Sequence, residues 1–220
     1  MIPLNAKEWQ KSKEQGMNKL LEAMCFAHAC KVFDENKKIP REQLLEILEA
    51  GRLTPSSFGL EHTRMLVISN QKLKEDIAPL CWNQKQFPTS SEVVVLKSLV
   101  QDIIAPSEYI YNLMADYGYD ERFMNRLKSF QEENFKDTRD FEAWSMKQAY
   151  LVASSMVNCS AMLGIDSCYI EGFERENLEK LLGINPQKER IALVLTFGYR
   201  VKEPKAKHRK PLEDLVEFRD

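Results

Sequence analysis

The sequence predicts a mixed α and β fold built on one core, and three observations carry that prediction. Short β-branched runs flanked by polar residues, Met65-Leu66-Val67-Ile68 and Val93-Val94-Val95-Leu96, have the look of buried strands. Around them lie segments whose apolar residues recur at three- and four-residue spacing, the helical period. No repeat, low-complexity tract or Gly/Ser linker divides the 220 residues, a length that suits one domain spanning 1–220.

Taken in order, residues from about Ala6 to Cys25 have helical composition, with Leu20, Leu21 and Met24 on one stripe. Pro40 opens a second helix, Arg41–Leu53, whose apolar face is Leu44, Leu45, Ile47 and Leu48 and which ends before Pro55. The two strands at 65–68 and 93–96 follow. From Val100 to Phe141 the chain is charged and aromatic, with Tyr109, Tyr111, Tyr117, Tyr119, Phe123 and Phe130 spread through helices, and it reads as an excursion from the core. Trp144 to Leu163 is small and apolar nearly all round, with Gly164 at a C′ position. Such a helix needs cover on all sides, at the centre of a subunit or in a dimer seam. Cys168-Tyr169-Ile170 and Ile191–Phe197 read as further strands, separated by a helix from about Arg175 to Leu182 that stops at Gly183. The tail after Gly198 has no core pattern.

Composition narrows the function classes. Hydrophobic residues make up 44% and charged residues 29%, ordinary for a folded globule and unlike a disordered chain. A net charge of −2 argues against a surface organised as a whole around nucleic acid, so any basic site is local. The longest apolar stretches fall far short of the ~20 residues that cross a bilayer as a helix. The N-terminus turns charged at Lys7 and Glu8 before a signal-peptide core could form, which predicts a cytoplasmic protein. Cys25, Cys30, Cys81, Cys159 and Cys168 are odd in number and scattered, the pattern of reduced thiols. His28, His62 and His208 do not fall at metal-ligand spacing with Cys or acids, so no metal is expected.

Four segments have the residue types for chemistry. Phe26-Ala27-His28-Ala29-Cys30-Lys31-Val32-Phe33-Asp34 places a lysine and a histidine near a turn, or equally a solvated Lys31 and a packing Phe33. Gly51 to Gly59 ends a helix in Pro55, Ser56 and Ser57; it either presents N–H groups and hydroxyls to a planar polar ligand or is only a helix stop. Ile165 to Phe173 runs a buried strand into Glu171-Gly172, where the missing Cβ lets a ligand approach the backbone, or where the strand simply turns into a helix. The tail Arg200 to Pro211 clusters Lys and Arg suited to a phosphate; a nucleic-acid arm or a solvated tail is the competing reading.

Together, in order and spacing, these segments resemble the nitroreductase family from about residue 20 to 212. The resemblance is carried by Lys-x-Phe-Asp after the first helix, Pro-Ser-Ser after the second, and Trp82-Asn83-Gln84 ahead of a Val-rich strand. Gly-Ile-Asp…Ile-Glu-Gly-Phe and a Lys-x-Arg near the C-terminus complete it. It implies an α+β fold with a mostly antiparallel central sheet flanked by helices, in an intertwined homodimer with FMN at the interface. By the same resemblance Lys31 reaches the N1/O2 edge of the isoalloxazine and Asn83 is an amide partner of the ring. Tyr169, Ile170, Glu171 and Gly172 lie against the ring, an N–H of that turn near N5. Lys207 and Arg209, with His208, His28 and Ala29 beside them, hold the phosphate. Pro55, Ser56, Ser57 and Gly59 reach the flavin of the other subunit.

Three departures stand out. Ala27 and Ala29 replace the usual Arg-x-Ser start, removing a charge-assisted bond worth ~1.5–3 kcal/mol. Gly59 and Glu61-His62-Thr63 replace Asn and Gln-Pro-Trp. Gln86 stands where a Lys is often found, removing a positive charge near the nicotinamide and acceptor site. The implied activity is FMN-dependent ping-pong electron transfer from NAD(P)H to a nitroaromatic or quinone-like small molecule, with no catalytic side chain, since the chemistry is the cofactor's. The aromatics at 109–130 either line the acceptor pocket or pin their helices to the body. The rivals are an FMN-dependent quinone, enone or flavin reductase whose nitro reduction is incidental, and a non-enzymatic nucleic-acid binder using the basic tail.

Overall fold

The computed structural model describes residues 18–219. The first part of the leading helix predicted from Ala6 therefore lies outside the described residues. Its remainder is α1 (Lys19–Phe26), started by Asn18, whose side-chain oxygen accepts the Leu20 N–H at 2.8 Å. The predicted stripe is not what α1 buries in this chain: Ala23 is buried, whereas Leu20 and Met24 are 43% and 47% exposed.

Four strands form one sheet: β1 (Thr63–Ile68), β2 (Glu92–Leu99), β3 (Asp166–Ile170) and β4 (Glu189–Gly198). Their order is β1-β2-β4-β3 and every neighbouring pair is antiparallel, as the α+β expectation required. The unbroken apolar runs of β2 and β4 arise because both faces of these central strands are covered. Val94, Leu96, Leu193 and Leu195 pack against α2 (Arg41–Arg52) and the long helix α7 (Thr138–Met162), through Leu44, Ile47, Val152 and Met156. Val93, Val95 and Val194 point the other way, onto Ile77 of α3 (Gln71–Ile77), Phe87 of α4 (Gln86–Thr89) and Leu178 of α8 (Arg175–Leu181).

The excursion is two helices, α5 (Glu108–Tyr117) and α6 (Glu121–Asn134), with a core of their own around Leu60, Ile103, Ile110, Leu127 and Phe141. It ends earlier than 141, because Asp137 caps α7 by accepting the N–H groups of Arg139 and Asp140. Against this group lies His62, wholly buried and stacked 5.5 Å from Trp144 at 19°. Among the described residues neither His62 ring nitrogen has a hydrogen-bond partner of good geometry. Burial pushes its pKa down to about 4, and the nearby Ser145 backbone opposes that only in part.

The long helix is not covered on all sides by this chain. Tyr150, Leu151 and Met162 are 40%, 49% and 57% exposed, and Leu45 and Leu53 of neighbouring α2 are exposed too.

Candidate functional site

Residues 29–34 run along one end of the sheet and are fixed there by backbone bonds. Ala29 bridges Ser167 of β3, and the Cys30 N–H donates to the Ser167 carbonyl at 3.0 Å. Phe33 bridges Arg200, and the Asp34 N–H donates to the Tyr199 carbonyl at 2.8 Å. This docking brings the exposed Lys31 to the side of β3, with Nζ 3.7 Å from Cys168 Sγ. Gln86 Nε2, on α4, approaches the same sulfur at 3.7 Å and the Gln84 side-chain oxygen at 3.4 Å. Gln84 Nε2 in turn donates to the Gly172 carbonyl at 2.9 Å. A continuous polar chain thus joins Lys31, Gln86 and Gly172 through Cys168 and Gln84, two residues not singled out as site residues. Gln86 is only 3% exposed, so its amide faces Cys168 and Gln84 and not an open surface.

The turn before α4 is strained. Trp82 and Asn83 both have left-handed backbone, φ 57° and 53°, a region costly for residues with a Cβ, and the Asn83 N–H is held by the Ala78 carbonyl at 2.8 Å. Trp82 is 69% exposed, yet its ring lies directly on Gly172: a Cβ there would stand 2.5 Å from Trp82 Cζ3. Gly172 is therefore required by close packing. On its N-terminal side Ile170 is buried, while Tyr169 is 44% exposed with its hydroxyl 3.5 Å from the Ala153 carbonyl. Glu171 accepts a 2.6 Å hydrogen bond from Tyr150 of α7. Burial, and then this carboxylate, push the Tyr150 phenol up to about 12.

A second group of cations meets the end of α1. Lys207 Nζ donates to the Met24 carbonyl at 2.5 Å and to that of Ala27, and burial, then Arg209 nearby, lower its pKa. Arg209 donates only to the His208 carbonyl at 2.7 Å, and neither cation has a carboxylate partner among the described residues. His28 Nδ1 lies 3.5 Å from Asp166 Oδ1. Beside it stands Arg200, which the sequence placed among the tail cations and not at this position. Its guanidinium covers Phe26 at 4.1 Å and pairs with the buried Asp166 at 2.8 Å. Arg200 brings a guanidinium next to the segment where Ala27 and Ala29 lack one, but Asp166 already neutralises it.

The Pro55–Gly59 loop belongs to a different neighbourhood. The Ser57 N–H donates to Gln148 Oε1 of α7 at 3.0 Å, and Ser56 Oγ accepts the Glu61 N–H at 3.3 Å. Phe58 and Gly59 both adopt positive φ, 57° and 61°. Among the described residues no hydrogen bond joins this loop to the Lys31–Gly172 group, as the placement of the loop toward another subunit would require.

The α+β architecture, with its four-stranded antiparallel sheet, is that of the nitroreductase fold. A structure described as a "putative nitroreductase in complex with FMN" from Exiguobacterium sibiricum superposes with TM-score 0.75, over 93% of this chain and 99% of that one, at 25% identity. Residues 26–199 match the nitroreductase family, and the chain belongs to that family. Relatives named "putative NAD(P)H nitroreductase" are 36% identical in Staphylococcus haemolyticus and 33% identical in Bacillus subtilis, each alignment covering 90% of this chain and 96% of the relative.

Proposed function

We propose that the protein is an FMN-dependent NAD(P)H oxidoreductase that reduces nitroaromatic or quinone-like acceptors in a ping-pong cycle. The observation that carries this reading is the polar chain from Lys31 through Cys168, Gln86 and Gln84 to Gly172, which fixes a cation and a Cβ-free turn at one end of the sheet. The residues present fit the cofactor, since among the described residues no carboxylate pairs with Lys31 here, or with Lys207 and Arg209 at the end of α1.

Bound FMN supplies the hydride-accepting and hydride-donating chemistry. Lys31 would offer the bound cofactor a positive charge that favours its reduced, anionic state. Asn83 and the backbone of Tyr169, Ile170, Glu171 and Gly172 orient the ring, with Tyr150 fixing Glu171 and Gln86 acting through Cys168. Lys207, His208, Arg209, His28 and Ala29 hold the phosphate. Donor and acceptor take turns on the open side.

We infer further that one domain pairs with a second copy, which brings Pro55, Ser56, Ser57 and Gly59 to the cofactor. Exposed apolar side chains on α7 and α2, and separately Leu212, Leu215 and Phe218 in the exposed tail, support this, because apolar surface left to solvent favours association. Five free cysteines fit a reducing cytoplasm. Among the described residues no helix is long and apolar enough to cross a membrane.

The test is a visible absorption spectrum of the purified protein, alone and with added FMN, before and after NADPH under nitrogen. Flavin bands that bleach on reduction and return with a nitroaromatic support the assignment. A colourless protein that neither takes up FMN nor oxidises NAD(P)H overturns it.

A further inference from the structure

We propose that the clefts on either side of Phe58 hold an aromatic acceptor that carries a carboxylate, with Arg126 as its anion partner; the acceptor role rests on the flavin reading above. Two adjoining clefts, of about 580 and 770 Å³, share Phe58 and Arg126 in their linings. Both volumes are of the size that takes small organic ligands, roughly 300–1,000 Å³. They open beside the Pro55–Gly59 loop, the loop that would face the cofactor of the paired subunit.

Phe58 is held there against its own backbone preference. At φ 57° a residue with a Cβ is strained, and such strain persists where surrounding contacts impose it. Here the ring is gripped by Phe130 at 4.9 Å and by Phe123, edge-on, at 6.2 Å, while Ser57 is tied to Gln148. The result is a wall of aromatic faces for a flat ring.

Charge decides the class of ligand. Arg126 Cζ lies 5.9 Å from the Phe58 ring centre, and among the described residues no carboxylate pairs with it. Arg122, on the same helix, is already paired with Asp120 at 2.6 Å. Glu133 also lines the first cleft but stands two helical turns further along α6, about 10 Å along the axis. A ring stacked at Phe58 therefore meets one uncommitted guanidinium, whose fork geometry matches a carboxylate.

The experiment compares 4-nitrobenzoate with its neutral isostere 4-nitrobenzamide on the flavin-loaded protein, by calorimetric binding and by NADPH-driven reduction, for the natural chain, Arg126→Gln and Arg126→Lys. The acid is expected to bind about tenfold better than the amide, as a partly exposed charge-assisted contact gives. That ratio should fall toward one in Arg126→Gln and partly return in Arg126→Lys. A ratio unchanged in Arg126→Gln, or no preference for the acid in the natural chain, overturns the proposal. So does a rise in KM for NADPH with the acid-to-amide ratio intact, which would give Arg126 to the donor. If the acid binds through Arg126 yet neither nitro compound is reduced, the anion site stands and the reductase reading fails.

Discussion

Acidification should destabilise this protein in a window set by one buried histidine. His62 is wholly buried, with no well-formed hydrogen bond to either nitrogen among the described residues, and burial lowers its pKa from 6.5 to about 4 on folding. Above 6.5 the ring is neutral whether the chain is folded or not, and stability does not depend on it. Between 6.5 and about 4 the unfolded chain binds a proton that the folded chain refuses, so stability falls as pH falls. The slope is at most ~1.4 kcal/mol per pH unit, which makes the whole loss about 3 kcal/mol. Below about 4 both forms are charged and no further loss comes from this residue. Set against the 5–15 kcal/mol typical of a folded domain, roughly, that is a large share. The assay is urea unfolding at pH 7.5, 5.5 and 4, at one protein concentration, for the natural chain and His62→Phe. Phe keeps the stack on Trp144 and removes the two orphaned nitrogens, so the variant should match the natural chain at pH 7.5 to within about 1 kcal/mol. It should then pull ahead as pH drops, the gap growing toward about 3 kcal/mol at pH 4. A gap that stays constant across the three pH values would refute the argument, because carboxylates and the other histidines cancel in the comparison.

Three further outcomes follow from the site. Arg209→Ala should weaken FMN binding about ten- to hundredfold, the loss of a charge-assisted bond of ~1.5–3 kcal/mol, with the urea midpoint unchanged; equal fluorescence-titration curves for both proteins would place the phosphate elsewhere. Gly172→Ala drives a Cβ to 2.5 Å from Trp82, and because Trp82 is exposed the ring can tilt away. Stability should drop by about 1 kcal/mol, at the low end for overpacking, while FMN affinity falls by much more; a variant that binds FMN normally would show that the turn does not face the ring. Asp166→Ala strips the buried partner from Arg200 and should cost about 3 kcal/mol of stability in urea, and a midpoint within error of the natural chain would mean that the pair is solvated in both states.

Much of the fold was legible because burial leaves periodic marks. The runs at 65–68 and 93–96 and the segment Ile191–Phe197 are strands, and Arg41 starts a helix as Pro40 announced. The order β1-β2-β4-β3 left no such mark, since neighbours in a sheet are chosen by packing between distant segments. α1 misled for a related reason: its Leu20 and Met24 stripe is apolar but finds no cover among the described residues. Of the site, Lys31, Gln86 and Gly172 could be read from motif order, whereas Cys168 looked like any core cysteine. Arg200 looked like one more tail cation until Asp166, from another strand, met it. Of the paired left-handed residues, Asn83 is of a type that tolerates positive φ, but Trp82 before it gives no such signal.

Lys31 meets Cys168 across 137 positions, and Lys207 meets Met24 across 183. Lys31 and Lys207 are thus placed by segments far apart in sequence, and neither placement can form until residues 168 and 207 have been made. A ribosome-bound fragment that ends before residue 207 lacks the clasp on α1 and the cations beyond it. Contacts between segments so far apart in sequence form slowly in folding, because the long loop between them has to be closed before they are gained.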